Sequence, residues 1–237
     1  MVPILYEDNH ILVINKPAGL LSQGDGKRDN LVDILKKYIK ESAEKSGNVY
    51  LGGIHRLDAP VSGMMVFAKT SKAASRLTEM LKQGGIKKIY LAISRNTENK
   101  DYDKEWKHFR GSFERPATIT TIYPDNRSGK SVEHYYRRIA GNGDQMATLI
   151  HLISGRKHQI RGFMKSIQLP IVGDSAYGGI ALKSHPEAIL LHSIFLSFIH
   201  PVRKQELVFT APLPPYFPDW LKFNEIIECI ETYIRMP

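Results

Sequence analysis

Gly52-Gly53-Ile54-His55-Arg56-Leu57-Asp58-Ala59-Pro60-Val61-Ser62-Gly63 is the stretch on which the reading of this chain turns. A histidine, an arginine and an aspartate fall within four positions, and the apolar run Met64-Met65-Val66-Phe67-Ala68 follows at once. The run reads as a buried strand. A charged loop bracketed by glycines against such a strand is as readily a site as a solvated turn in which Asp58 and Arg56 merely pair.

Working outward, Ile4 to Glu7 and Ile11 to Asn15 read as short strands around a turn at Asp8-Asn9. Leu31, Ile34, Leu35, Tyr38 and Ile39 recur at helical spacing behind a cap at Asp29 or Asn30. Beyond the opening stretch, Ser71 caps a second helix with Ala74, Leu77 and Leu81 facing inward, and Lys87 to Ile93 is a strand. Strand and helix alternate here, which predicts some βαβ character. Arg95 to Arg115 is polar and aperiodic, a solvated insertion loop. Within it Lys104 to Arg110 interleaves basic residues with aromatics, a mix that can also line a nucleic-acid groove.

Ala117 to Tyr123, Ser131 to Ile139 and Gln145 to Ile153 read as three antiparallel strands joined by turn-rich loops. A short helix follows over Lys157 to Ile167, then strands within Ala188 to Ile199 and Glu206 to Thr210. An amphipathic helix with Trp220, Phe223, Ile226, Ile227 and Ile230 on one face comes last. No repeat or linker divides the chain. The pattern predicts one domain, residues 1–237, of the α+β class, with a mixed, mostly antiparallel sheet flanked by helices.

The 237 residues, 42% of them hydrophobic, suffice for one large core. Lys plus Arg number 33 against 24 Asp plus Glu, and the net charge of +9 favours a polyanionic partner, although a basic protein without one has the same count. The single cysteine, Cys229, excludes an intramolecular disulfide and fits a reducing interior. One cysteine among nine scattered histidines argues against a structural zinc site. The N-terminus has no signal-peptide pattern, and the most apolar segment, Ala188 to Ile199, is too short to cross a bilayer. A cytoplasmic protein with no membrane association is expected.

Further segments carry chemistry. Tyr90 stands two residues after Lys88 on a strand, and Ser154-Gly155-Arg156-Lys157-His158-Gln159-Ile160-Arg161 crowds cations, a histidine and an amide at the start of a helix. Lys16-Pro17 ends an early strand and Leu191-His192 lies in a late one. Singly, each has a plain structural explanation. Together, His-Arg-Leu-Asp with Ser-Gly, then Lys-x-Tyr-Leu-Ala, then Gly-Arg-x-His-Gln-Ile-Arg closely resemble the RluA-type pseudouridine synthases in order and spacing. Asn15-Lys16-Pro17-Ala18-Gly19, Pro170-Ile171-Val172-Gly173-Asp174 with Tyr177-Gly178, and Leu191-His192-Ser193 followed by His200-Pro201 extend the resemblance over nearly the whole chain.

The resemblance implies the pseudouridine synthase fold and isomerisation of specific uridines in rRNA, tRNA or both. The N1 glycosidic bond is broken, the base turns, and C5 is joined to C1′. The product is an isomer, so the reaction implies no metal and no organic cofactor. Asp58 is implied as the catalytic aspartate, acting at C1′, at C6 of the base, or on the 2′ proton. Arg161 is implied as its pair, since a neighbouring guanidinium favours a charged carboxylate. Tyr90 is implied as the platform for the uracil, stacking being worth roughly 1–3 kcal/mol per base. Arg56 is implied as the side chain that enters the helical stack once the target is flipped out, at a cost of about a few kcal/mol. Arg156, Lys157 and His158 stand where RNA phosphates can pass at a helix N-terminus. Lys16, Lys88 and His55 join the RNA-binding set, His55 more as a structural than a catalytic histidine, and Gln159 supports the loop.

The motif region offers one carboxylate, Asp58, which suits an isomerase better than a glycosidase needing two. A non-catalytic RNA-binding or ribosome-assembly protein on the same fold is the other reading, and intact Asp58, Tyr90 and Arg161 weigh against it. Ala59 and Val61 depart from the family pattern, where a basic or polar residue and a threonine are common. A chain that starts directly with the catalytic domain's first strands, without the small S4-type domain of many relatives, is expected. RNA is therefore expected to be held by the catalytic domain of a monomer, on a compact stem-loop. Target choice is expected in loops such as Gln23–Asp29 and Arg95–Arg115.

Overall fold

The computed structural model describes residues 2–235 apart from 25–28, 43–46, 97–100, 104, 116–117 and 125–129. Lys104, Ala117, the loop tip Asp125 to Gly129 and the middle of Gln23–Asp29 thus lie outside the described residues.

The first hairpin forms where expected, as β1 (Ile4–Glu7) and β2 (Ile11–Lys16). Asp8 Oδ1 ties the turn by accepting from the backbone N–H groups of His10 and Ile11. Helix α1 spans Leu31–Ser42, and Asn30 Oδ1 accepts from Asp33 N at its start. A two-residue β3 (Gly52–Gly53) and β4 (Ser62–Ala68) flank the loop of residues 54–61. Helix α2 (Ser71–Lys82) is capped by Thr70 rather than Ser71, because the Thr70 hydroxyl is the one that reaches Ala73 N. Then come β5 (Ile86–Arg95), β6 (Lys107–Glu114), β7 (Thr121–Tyr123), β8 (Lys130–Asn142) and β9 (Gln145–Leu152). Helix α3 (Gln159–Ser166), β10 (Leu191–Ile199), β11 (Glu206–Thr210) and α4 (Phe223–Ile234) complete the order. Trp220 precedes α4 and donates its indole N–H to Gln145.

The strands join one sheet in the order β1-β2-β4-β10-β5-β9-β8-β6-β7, with β3 on β4 and β11 on β10. Two further expectations are corrected. The segment read as a solvated loop contains β6, which pairs with β8 from Lys107↔Tyr136 to Phe113↔Lys130. Its Lys, His and Arg residues hide the alternation, while Phe109 supplies the packing against His134 and Phe163. The β4–α2–β5 segment is not a parallel βαβ unit. Strand β10 lies between β4 and β5, parallel to β4 and antiparallel to β5, so β4 and β5 run in opposite directions.

The alternation of β2 puts its two sets of side chains on opposite faces. Leu12 and Ile14 pack with α1 residues Leu31 and Leu35, whereas Ile11 and Val13 pack with Ala73 and Leu77 of α2. At the other end, Phe163 of α3 meets His134 edge-on at 4.2 Å, while Tyr233 of α4 stacks on Trp106 at 3.9 Å and meets His151. His134 pairs with Leu152, one position out of step with His151, so α3 and α4 cover opposite faces. Tyr90, Ile150 and Tyr136 form one cross-strand row on the α3 face. Tyr90, at one end of that row, lies near enough to Asp58 to feel its charge.

Close approach fixes the end of that loop. Gly63 has φ +115, and a Cβ there would sit 2.4 Å from Ser193 N. Only glycine lets β4 enter the sheet so near β10.

Candidate active site

The loop 54–61 is pinned from below. Lys16 is fully buried, and its ammonium donates to the carbonyls of Pro17, Leu20 and Ala59 at 2.9, 2.8 and 3.1 Å. All three protons are used, and one holds the residue that follows Asp58. Burial pushes this lysine down to about 7, with the charge of Asp58 opposing. It has no exposed amine to offer a phosphate, so its place among RNA-binding residues is corrected: enclosed beneath the loop, it is a clamp. The Ser22 hydroxyl secures the same loop through the Leu57 backbone, donating to its carbonyl and accepting from its N–H.

His55 is likewise turned inward. Its Nε2 accepts from Val66 N at 3.3 Å, and its Nδ1 is enclosed without a partner among the described residues. Burial, aided by the charge of Lys88, holds it down to about 3, so the ring is neutral. It supports β4 and presents no donor to RNA. Arg56 is exposed and makes no side-chain hydrogen bond to a described residue.

Asp58 is held by residues brought from far along the chain. Arg161 Nη1 donates to its Oδ2 at 3.3 Å, and His158 Nε2 lies 3.5 Å from the same oxygen. The aspartate side chain keeps 25% of its exposure. Arg161 has a second and tighter partner in Asp174. Its Nε and Nη2 donate to Asp174 Oδ2 and Oδ1, both at 2.7 Å, and its guanidinium lies 4.7 Å over the Tyr177 ring. Burial alone would lower the guanidinium. The hydrogen bonds and charge of Asp174, with Asp58, more than reverse this and raise it.

The one-carboxylate reading is therefore corrected. Two carboxylates meet at Arg161, but both Asp174 oxygens are taken by the guanidinium in a buried fork. Asp174 is not free to act as the second acid or base of a glycosidase. Asp174 and Tyr177 stand in the glycine-flanked loop Gly173–Gly178, where their position in the extended motif was the one available signal.

Tyr90 is 5% exposed on its cross-strand row, and burial, with the negative charge of Asp58 adding, pushes its phenol well above the ordinary value. It is a neutral ring within electrostatic reach of the aspartate. Lys88, two residues before it on the same face, is also buried, and burial pushes it down to about 8. Its Nζ lies 3.8 Å from where a Cβ would stand on Gly155. Gln159 is buried and organises the loop before α3: its Oε1 accepts from the Ser154 hydroxyl and from Arg156 N, both at 3.0 Å. Arg156 is exposed, with its guanidinium 6.0 Å over the Phe113 ring. His158, expected along a phosphate path, instead turns its ring to Asp58. Among the described residues no group of three His, Cys, Asp or Glu side chains is placed to hold a metal ion, and no helix is long and apolar enough to cross a membrane.

The fold is that of the pseudouridine synthases. The human RNA pseudouridylate synthase domain containing 1 has a TM-score of 0.70 to this chain at 19% identity, covering 98% of this chain and 95% of that one. The sequence profile of the RNA pseudouridylate synthases matches residues 10–166. The tRNA pseudouridine synthase C of Haemophilus influenzae is 34% identical over 232 residues, spanning 90% of this chain and 93% of that protein. The ribosomal large subunit pseudouridine synthase D of Vibrio vulnificus is 32% identical over 247 residues, spanning 98% of this chain and 70% of that protein. This chain belongs to the RNA pseudouridylate synthase family. It is an isomerase that acts on uridine in RNA.

Proposed function

We propose that this enzyme converts specific uridines of large-subunit ribosomal RNA, of tRNA, or of both, to pseudouridine, with Asp58 as the reacting carboxylate. The observation that carries the reading is the Asp58–Arg161 contact beside Tyr90. The guanidinium is locked by Asp174, so it meets Asp58 as a fixed, preorganised charge. The RNA targets follow from relatives named for both classes of RNA.

In the reaction the flipped uridine lies with its sugar at Asp58 and its base against Tyr90. The N1–C1′ bond breaks, the base turns on the tyrosine ring, and C5 bonds to C1′. The C5 proton is lost and N1 regains one, so the product is an isomer. Exposed Arg56 fills the vacated stack, and Arg156 and Lys157 lie along the RNA backbone, with the net charge of +9 adding long-range attraction. The catalytic domain binds a stem-loop as a monomer in the cytoplasm, and no metal or organic cofactor takes part.

Position-resolved mapping of pseudouridine in RNA from cells with and without the gene tests this. A specific signal is expected to vanish on deletion and to return with the intact gene but not with Asp58→Asn. Persistence of every site in the deletion strain overturns the reading, and release of free uracil points to a glycosidase.

A further inference from the structure

We propose that His158 is a positioning residue for the catalytic aspartate: Tyr177 fixes its tautomer so that an Nε2–H serves Asp58 Oδ2, leaving Oδ1 as the oxygen that meets the substrate. The proposal rests on the reading of Asp58 given above.

The tautomer follows from counting donors. The Tyr177 hydroxyl accepts the Thr120 backbone N–H at 2.7 Å and lies 2.9 Å from His158 Nδ1. Tyr177 is 1% exposed, so its own proton requires an acceptor within the protein. Among the described residues His158 Nδ1 is the acceptor in reach. Nδ1 is then bare, and the neutral imidazole carries its proton on Nε2.

A proton added at Nδ1 would leave the Tyr177 hydrogen without a partner. The surroundings act in the same direction: burial lowers the imidazole pKa, Arg161, Lys157 and Arg115 lower it further, and Asp58 alone among these neighbours raises it. His158 is therefore the neutral, Nε2-protonated form.

Its backbone serves the same end. His158 is the N-cap of α3 but makes no side-chain cap hydrogen bond, and it stands at φ 57, ψ 20 in the left-handed region. Such a conformation persists in a non-glycine residue when its surroundings over-determine it. Here the ring spans from Tyr177 to Asp58 instead of capping the helix. Oδ2 of Asp58 thus faces both Arg161 Nη1 and His158 Nε2, whereas Oδ1 accepts no hydrogen bond from a described residue. Contacts of 3.3 and 3.5 Å are long, as catalytic hydrogen bonds often are before substrate closes the site. The assignment of Oδ1 is the same for attack at C1′, attack at C6, or removal of the 2′ proton.

Two measurements test this. Nitrogen-15 NMR of histidine-labelled wild-type enzyme reads the tautomer directly. A protonated Nε2 and bare Nδ1 are expected for His158, with that preference lost in Tyr177→Phe, and a protonated Nδ1 overturns the proposal. Single-turnover kinetics at saturating RNA then separate positioning from RNA contact. His158→Ala is expected to lower the rate constant about 100-fold, the order of cost of a misplaced catalytic group, with RNA affinity little changed. His158→Gln, which returns an N–H near the Nε2 position, recovers much of the rate. A wild-type rate in His158→Ala, or a loss confined to RNA affinity, overturns the proposal. Asp58→Asn run alongside distinguishes the failures: if it stays active the reading of Asp58 has failed, and if it is dead while His158→Ala is unimpaired only the His158 assignment has failed.

Discussion

Arg161 holds both oxygens of Asp174, through Nε and Nη2 at 2.7 Å each, and reaches Asp58 through Nη1. The pair is enclosed, with Asp174 1% and Arg161 9% exposed at the side chain. Arg161 is thus anchored by one aspartate while it reaches another.

Removing that anchor leaves a buried guanidinium without its main partner. Asp174→Ala is expected to lose roughly 3–5 kcal/mol of stability by urea denaturation. Asp58→Ala leaves the Asp174 fork in place and is expected to lose much less while abolishing turnover. Equal losses in the two variants would contradict the division of labour.

Lys16 makes stability depend on pH. Its pKa falls from the ordinary 10.5 of a lysine to about 7 in the folded protein. Between these values the unfolded chain binds more protons, so stability rises with pH across the window, and below about 7 the penalty is constant. Denaturation of wild type and Lys16→Met from pH 6 to 10 is expected to show the wild type gaining on the variant above about pH 7. Parallel curves would show that this amine does not titrate on folding. The variant also leaves the Pro17, Leu20 and Ala59 carbonyls without their donor, so turnover is expected to fall with the ordering of the Asp58 loop.

Gly63→Ala combines a positive φ with a Cβ driven into the β10 backbone. The expected loss is on the order of 3 kcal/mol or more, read as a lowered denaturation midpoint. A variant as stable as wild type would mean that the β4–β10 junction relaxes freely.

Arg56→Ala separates binding from folding. The side chain is exposed and makes no hydrogen bond to a described residue, so stability is expected to stay within about 0.5 kcal/mol. Its kcat/KM on folded RNA is expected to fall, and to fall less on a short single strand whose target uridine needs no flipping. Equal losses on both RNAs would remove the proposed place of Arg56 in the vacated stack.

Much of the fold was legible because its signals are local. Helical spacing marks α1 and α2, and apolar runs mark β4 and β10. Strand β6 was hidden because its polar residues carry no pattern of their own until β8 lies beside them. The order of strands was hidden for a related reason: β10 enters between β4 and β5 from over 90 residues away, and nothing within the β4–α2–β5 segment announces it.

The family was determined by sequence, and so was the proposal for its site, since Asp58, Tyr90 and Arg161 stand in ordered motifs. Tertiary structure decided what each motif residue touches. Arg161 is 103 positions from Asp58 and 13 from Asp174, and Lys16 is 43 from Ala59. No helical or strand period links such separations. Folding therefore chose between a phosphate and a carboxylate for His158, and between surface and interior for Lys16. The physical ground is the same in both cases: a buried polar group must find its partners inside the protein.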